Sequence, residues 1–170
     1  MLTKTIRAGC SAMLFAALSP LQAQTYTLRV LHSFNGKQGE NPFGSGLVRD
    51  SAGNLYGTAE NGGAANAGVV FKLSKTGKET VLYTFKGGAD GSNPNGGVIL
   101  DSAGNLYGTA YQGGAANQGV VFEVNAAGTY KVLYNFCSLT NCTDGVHPLT
   151  GRLVLDSAGN LYGTAGGGLI

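Results

Sequence analysis

The stretch Asp50–Ala59, DSAGNLYGTA, decides the fold, because it recurs letter for letter at 101–110 and again at 156–165. The three copies start 51 and 55 residues apart in a chain of 170 residues. Repeats of this length are typical of propeller blades and solenoid coils, in which each repeat is one small unit of secondary structure. The sequence therefore predicts a tandem array of similar units.

Each repeat is predicted to form four β-strands. In the second copy these are GGVIL, LYGTA, GVVFEV and YKVLYNF, which are rich in β-branched and aromatic residues. In the first copy Val69, Phe71 and Leu73 share one strand face, and Lys72 lies on the other. Because no segment has a helical period, the expected fold is all-β, made of four-stranded antiparallel units.

The first 23 residues have the pattern of a secretory signal peptide. Lys4 and Arg7 precede an apolar run at 8–18, and the small residue Ala23 follows it. The run is too short for a permanent membrane span. We therefore expect export to the periplasm, the cell surface or the medium, with 24–170 as the mature β-repeat domain. A buried N-terminal helix is the alternative for residues 1–23.

Composition argues against one class of partner. Loss of Lys4 and Arg7 with the leader leaves nine basic residues against nine acidic ones. A formally neutral chain without a basic stripe is not expected to bind nucleic acid. Glycine is abundant, with 29 residues, but it has no three-residue period, which indicates tight turns between short strands and not collagen.

The segment DSAGN is expected to be a hairpin turn. Its aspartate accepts backbone N–H bonds, and the glycine three residues later adopts the positive φ that closes a short turn. Catalysis by three copies of one carboxylate is not expected, since an active site needs unlike groups in unlike environments. The predicted turn residues are Asp50, Gly53, Asp101, Gly104, Asp156 and Gly159.

The long loops are where binding is expected. In an antiparallel meander the tight turns share one end of the sheet and the long loops share the other, and binding groups usually lie on loops held by a rigid scaffold. The competing interpretation is that the Asp-Gly and Asn-Pro pairs only shape turns. The candidate ligand-binding residues are Asp90, Asn93, Asn95, Tyr111, Asn117, Asp144 and His147.

No cofactor or metal is predicted. His32 aligns with Tyr83 and Tyr134 in the repeat, so a core or rim position is expected for it. Two histidines without cysteine or carboxylate at ligand spacing do not make a zinc site. Calcium at DGSNPNGG is an alternative because hard cations prefer clustered oxygens, but the acidic spacing of helix–loop–helix sites is missing.

Cys137 and Cys142 are predicted to form a disulfide. Signal cleavage would remove Cys10 and leave these two cysteines within the segment CSLTNC. An oxidising compartment favours their pairing.

The run from Pro94 to Tyr107, PNGGVILDSAGNLY, resembles the inner-strand hairpin of NHL-type β-propellers. Together with the following GVVFEV and LYNF, it closely resembles the GloVer tandem repeat of exported bacterial proteins. The resemblance covers nearly all of 26–165. It implies a propeller-like fold and export, and it assigns no catalytic residue.

The units are expected at roughly 43–93, 94–148 and 149–170, with an N-terminal strand at 26–34. This amounts to about 2.75 units, whereas closed propellers have roughly four to eight blades. We therefore expect an incomplete propeller, as in a fragment of a longer protein, with a tendency to self-associate through its open edges. The alternatives are several chains assembled into one ring, or a short open stack with unprotected edges.

Two functions are consistent with these features. The first is an exported, non-catalytic binding or surface-interaction module, whose long loops contact a glycan, a peptide or a protein. The alternative is a propeller enzyme of lyase or lactonase type, which would need converging carboxylates, histidines or a metal. The loops carry mainly Asn, Gly, Ala and Tyr, so binding is favoured.

Overall fold

The computed structural model describes residues 27–42, 46–149 and 151–167. Within these ranges the fold is all-β, as predicted, with two four-stranded and two two-stranded antiparallel sheets. Two short 3-10 helices, Gly88–Asp90 and Thr140–Cys142, lie in the loops. The signal peptide expected at 1–23 lies outside the described residues. None of the described helices is long and apolar enough to cross a membrane.

The strands follow the repeat. The first unit contains β1 (Val48–Arg49), β2 (Leu55–Ala59), β3 (Val69–Leu73) and β4 (Glu79–Thr84). The second contains β5 (Val98–Leu100), β6 (Leu106–Ala110), β7 (Val120–Val124) and β8 (Tyr130–Asn135). The third contains β9 (Val146–Pro148), β10 (Val154–Leu155), β11 (Leu161–Tyr162) and β12 (Ala165–Gly166).

Each four-stranded sheet is a simple meander, because its strands are neighbours in chain order. The two sheets also share one register: Leu55 is opposite Leu73 in the first, and Leu106 is opposite Val124 in the second. The short turns between the first two and the last two strands therefore lie at one end of each sheet, and the long loops lie at the other.

The main core lies between the first and second sheets. Val70 and Phe85 of the first unit cluster with buried side chains of the second, including Phe122. The rings of Phe85 and Phe122 meet edge to face with centroids 5.3 Å apart. Burial of each such side chain contributes roughly 1.5–3 kcal/mol. Neither sheet covers this apolar face by itself, so packing of successive units is what forms the core.

The DSAGN segments are hairpin turns held by one repeated set of hydrogen bonds. In the second copy one oxygen of Asp101 accepts the backbone N–H of Asn105 at 2.8 Å. Its other oxygen accepts the Asn105 side-chain amide at 2.8 Å and the Tyr107 hydroxyl at 3.1 Å. Gly104 has a φ of +89°, which glycine adopts without strain. The copies at Asp50 and Asp156 make the same three contacts.

The third unit repeats the inner hairpin and adds one short pair. Val154 is opposite Tyr162 in the β10–β11 hairpin, as Val48 is opposite Tyr56 in the first unit. The pairing of β9 with β12 replaces isolated bridges in the earlier units, such as Ser92 with Gln112.

The strand predicted at 26–34 is not formed: residue 26 is outside the described ranges, and residues 27–35 are in no strand. β4 and β8 each pair with the strand that precedes them, and no described strand precedes this segment. It nevertheless packs on the first unit. The ring of Phe34 contacts that of Phe71 at 4.9 Å, and Nε2 of His32 lies 2.8 Å from the Glu79 carboxylate.

Acid should unfold the protein through its turn aspartates. Hydrogen bonds from the Asn160 side chain and backbone lower the pKa of Asp156 to about 2, and Asn54 likewise lowers the pKa of Asp50. Partial burial raises the pKa of Asp101, but the hydrogen bonds from Asn105 and its neighbours outweigh it and hold this pKa below its ordinary range. A lowered folded-state pKa stabilises the fold above the unfolded value, near 3.9, and this contribution is lost as the pH falls through the folded value.

We therefore expect melting temperatures, followed by circular dichroism, to fall most steeply between about pH 4 and 2. The triple variant Asp50→Asn, Asp101→Asn, Asp156→Asn should be less stable at pH 7 and should fall less steeply in acid. An unchanged acid slope in this variant would refute a role for the turns.

Candidate functional site

The long-loop end is formed by segments 60–68, 85–97, 111–119 and 136–145, which hydrogen-bond to one another through their backbones. Phe85 and Phe136 donate their N–H groups to Gly68 and Gly119 at 3.0 Å each. The N–H of His147 donates to the carbonyl of Gln118 at 2.7 Å. The bond of His147 ties the loop 111–119 to the third unit, and a bond from the Asn93 N–H to the Ala67 carbonyl at 2.9 Å ties the loop 60–68 to the second unit. The long-loop end is therefore a hydrogen-bonded platform.

Asp90 is engaged inside its own loop. One of its carboxylate oxygens accepts the Tyr83 hydroxyl at 2.7 Å and the backbone N–H of Lys86 at 2.9 Å. The Tyr130 hydroxyl donates to the Asp90 backbone carbonyl. Burial, together with the neighbouring carboxylate of Asp90, raises the pKa of Tyr83 far above its ordinary value, so this hydroxyl stays a proton donor to the carboxylate.

Asp144 has the same role in the next copy. Its carboxylate accepts the Tyr134 hydroxyl at 2.6 Å, the Ser138 hydroxyl and N–H at 2.8 Å each, and the Leu139 N–H at 3.2 Å. Although partial burial raises its pKa, these hydrogen bonds outweigh that effect and hold the pKa well below the ordinary value. Asp144 is therefore an ionised group whose acceptor sites are largely occupied.

Asn93 and His147 lie at equivalent positions, at the seams between consecutive units. Both have left-handed backbones, with φ of +57° and +46°. The Asn93 side chain contacts the carbonyl of Glu60 at 3.5 Å. Nδ1 of His147 donates to the carbonyl of Tyr111 at 3.0 Å, and the two rings stack with centroids 4.6 Å apart. The first seam thus pairs Glu with Asn, and the second pairs Tyr with His.

Asn117 and Asn95 differ in environment. Asn117 is exposed and left-handed, and its side-chain oxygen accepts the Gly113 N–H at 3.0 Å, which closes the loop. Asn95 is half-buried, and its side-chain oxygen is buried without a hydrogen-bond partner among the described residues. The seven candidate residues therefore lie on the predicted loops. Six make contacts within them, and binding stays a prediction.

Sequence reasoning missed the tyrosine partners of the loop aspartates. Tyr83 is followed by Asp90 and Tyr134 by Asp144, whereas the first copy has His32 followed by Gln38 at the matching positions. Tyrosine and aspartate are therefore present together in two copies and absent together in the first, and this joint change could have indicated that the two side chains are in contact.

The predicted disulfide between Cys137 and Cys142 is confirmed. It lies in the segment that closes on itself through a hydrogen bond from the Cys137 N–H to the carbonyl of Gly145 at 3.0 Å. Among the residues that the structure describes, no three His, Cys, Asp or Glu side chains are grouped so as to hold a metal ion.

Comparison with known proteins identifies one family. The family model described as the Gloeobacter/Verrucomicrobia repeat matches residues 11–169. The resemblance to the GloVer repeat is therefore confirmed. No curated protein and no solved structure matches the chain.

Tyr83→Phe should destabilise the protein by about 1–2 kcal/mol, because a half-buried carboxylate loses a charge-assisted hydrogen bond. Urea unfolding followed by circular dichroism measures the change. Tyr134→Phe is the matched control: Asp144 keeps its donors from Ser138 and Leu139, so the loss should be about 0.5 kcal/mol. Equal losses in the two variants would contradict this reasoning.

The disulfide should be complete in exported protein, with no alkylatable thiol detected by mass spectrometry. Replacement of Cys137 and Cys142 by serine should destabilise the fold by about 2 kcal/mol, as the chain-entropy model gives for so short a loop. Two free thiols in the exported protein would contradict the pairing.

Proposed function

The chain belongs to the Gloeobacter/Verrucomicrobia repeat family, and on this basis we propose that it is an exported, non-catalytic module that binds a neutral glycan at its long-loop end. Export is supported by the leader-like residues 1–23 and by the disulfide, a bond favoured in oxidising compartments.

The observation that carries the proposal is the stacked pair of Tyr111 and His147 at the second seam. Both residues are half-buried, so each keeps part of its surface accessible. The neighbouring Gln112 is exposed and carries an amide that donates and accepts hydrogen bonds. Ring surface next to a neutral amide suits a sugar, which has an apolar C–H face and hydroxyls at its edge.

The rigidity of the platform also supports binding. The backbone bonds between successive loops fix Tyr111 and His147 before any ligand arrives. The N–H of Tyr111 donates to the Asn93 carbonyl at 3.1 Å, and the N–H of His147 donates to the Gln118 carbonyl. A preorganised site loses little conformational entropy on binding, which favours affinity for a weakly interacting ligand.

The charges at this end favour a neutral ligand. The carboxylates of Asp90 and Asp144 are occupied by donors from their own loops. The exposed charged groups have both signs, as with Glu40 and Lys86, so no single-sign field attracts an ionic substrate.

The proposal is tested with a glycan array, followed by titration calorimetry on the best glycan. Tyr111→Ala should weaken binding about tenfold, the order expected for loss of one aromatic contact. His147→Asn should also weaken binding, and it should leave the fold intact because asparagine tolerates the left-handed backbone and occurs at the first seam. Glu60→Ala, the matched change at the first seam, should leave affinity unchanged.

Affinity that is the same in Tyr111→Ala as in the parent protein would refute the site. Release of shortened sugars from the array glycans, abolished by one substitution, would instead favour the enzyme interpretation. Binding of peptides but no glycans would refute the ligand class.

A further inference from the structure

The contact between the first and second units is an internal template for how one unit docks on the next. We name the face of a sheet that meets the following unit its back, and the opposite face its front. On the back of the first sheet, Tyr83 stacks on Tyr130 of the second unit with ring centroids 3.8 Å apart. Leu82 and Val132 are packed against the same core.

The back of the second sheet has matching residues but is only partly covered by the third unit. Leu133 and Tyr134, the counterparts of Leu82 and Tyr83, are exposed. They line a groove of about 590 Å³ together with Val121 and other residues. We call this the tail groove.

The back of the third unit is also open next to this groove. Val154 and Tyr162 are 62% and 56% exposed. Their counterparts in the first unit, Val48 and Tyr56, are half-buried against the second unit. The tail groove and this hairpin together form one uncovered back surface.

The front of the first sheet is open only in part. Phe71 is buried in a cluster with Phe34, whereas Leu47 at the edge of this cluster is 45% exposed. Leu47, Leu55 and Phe71 line a groove of about 400 Å³ between this sheet and the segment 28–34, which we call the head groove. The counterparts of Leu47 and Leu55 in the second unit, Val98 and Leu106, are fully buried under the first unit.

The segment 28–34 has the pattern of a fourth strand, since LRVLHSF aligns with YKVLYNF. Leu28 and Val30 match Tyr130 and Val132, which pack on the preceding unit. In the segment these two positions are 94% and 74% exposed. The segment therefore keeps the place of a fourth strand on the first unit but lacks the surface that its apolar residues would cover.

We propose that two copies of this chain bind head to tail through these surfaces. Leu28 and Val30 of one copy fill the tail groove of the other, with Leu28 against the partner's Tyr134, as Tyr130 lies against Tyr83. The partner's Val154 and Tyr162 cover the head groove. One composite unit thus forms from the inner hairpin of one copy and the fourth-strand segment of the next.

A second copy fits both surfaces at once, because the same chain carries the segment 28–34 with the head groove at one end and the third-unit hairpin with the tail groove at the other. Each exposed position corresponds by the repeat to a position that is covered at the internal contact. The interface joins different patches on the two copies, so it is heterologous and forms either a closed ring or an open series. Both forms use the same contact.

The test is sedimentation velocity on the purified protein from 1 to 100 µM, a range chosen on the order of typical weak dissociation constants. The parent protein should associate reversibly. Leu28→Asp and Val154→Lys should each weaken association at least tenfold. An aspartate at position 28 would face the ionised Asp144 that lines the tail groove, and a lysine at position 154 would be buried against the apolar head groove. Leu139→Lys is the matched control: Leu139 is 58% exposed and lines neither groove, so association should be unchanged.

Mixing the two variants distinguishes this contact from general aggregation. The Leu28→Asp copy keeps an intact tail groove and the Val154→Lys copy keeps an intact head groove, so the mixture should form a one-to-one heterodimer while each variant alone stays monomeric. Val30→Asp with Tyr162→Lys gives a second pair at the same surfaces, and circular dichroism verifies folding. A parent protein that is monomeric at 100 µM, variants that associate as the parent does, or a mixture that stays monomeric would each overturn the proposal.

Discussion

A four-stranded sheet of this chain has apolar side chains on both faces, and neither face can be covered by the sheet's own strands, so each needs another part of the chain packed against it. This constraint explains why the core lies between the sheets, where Phe85 meets Phe122 and Tyr83 stacks on Tyr130. It also explains why the segment 28–34 stays against the first sheet without forming a strand. The contacts of Phe34 with Phe71 and of His32 with Glu79 hold it there, although no ladder of backbone bonds does.

The contact between His32 and Glu79 shows that different residue types can join successive parts of the chain at equivalent positions of the repeat. In the repeat, His32 matches Tyr83 and Glu79 matches Tyr130, so the contact of an imidazole with a carboxyl group replaces a stack of two tyrosine rings. The Glu79 side chain is only 2% exposed. Burial raises its pKa, while the nearby His32 opposes the shift. A buried carboxylate is stabilised here by its one basic neighbour and costs more to bury than the ring that replaces it in the next unit.

The sequence predicted the fold better than the site, because the fold follows from a repeat of many residues whereas the site depends on single side-chain contacts. Letter-for-letter repetition over ten residues predicted the four strands of the first and second units, the geometry of the short turns and the end at which the long loops lie, but not β9 and β12. The role of Asp90 depends on a single hydrogen bond from the Tyr83 hydroxyl, seven residues earlier. An alternating pattern of apolar and polar residues does not show whether a loop carboxylate is bonded within its own loop or is available to a ligand. The prediction of a strand at 26–34 was wrong for the described residues 27–34. The alternating apolar pattern belongs to the segment itself, whereas a β-strand also needs a neighbouring strand for its backbone hydrogen bonds.

The two ends of the units differ in how far their side chains are repeated from copy to copy. At the short-turn end the Asp-Asn-Tyr contacts are the same in all three copies, because the hairpin geometry allows no substitution without loss of a hydrogen bond. At the long-loop end the backbone bonds are kept and the side chains differ, so Glu60 and Asn93 at one seam become Tyr111 and His147 at the next.

If copies join head to tail through their open faces, the orientation of one unit relative to the next is the same across the contact as within the chain, and the long loops of every copy lie on the same side. Each added copy then brings one more Tyr-His seam to a shared surface. Weak sites presented together in this way bind a polymeric ligand far more tightly than one site does, since the later contacts form at high effective concentration.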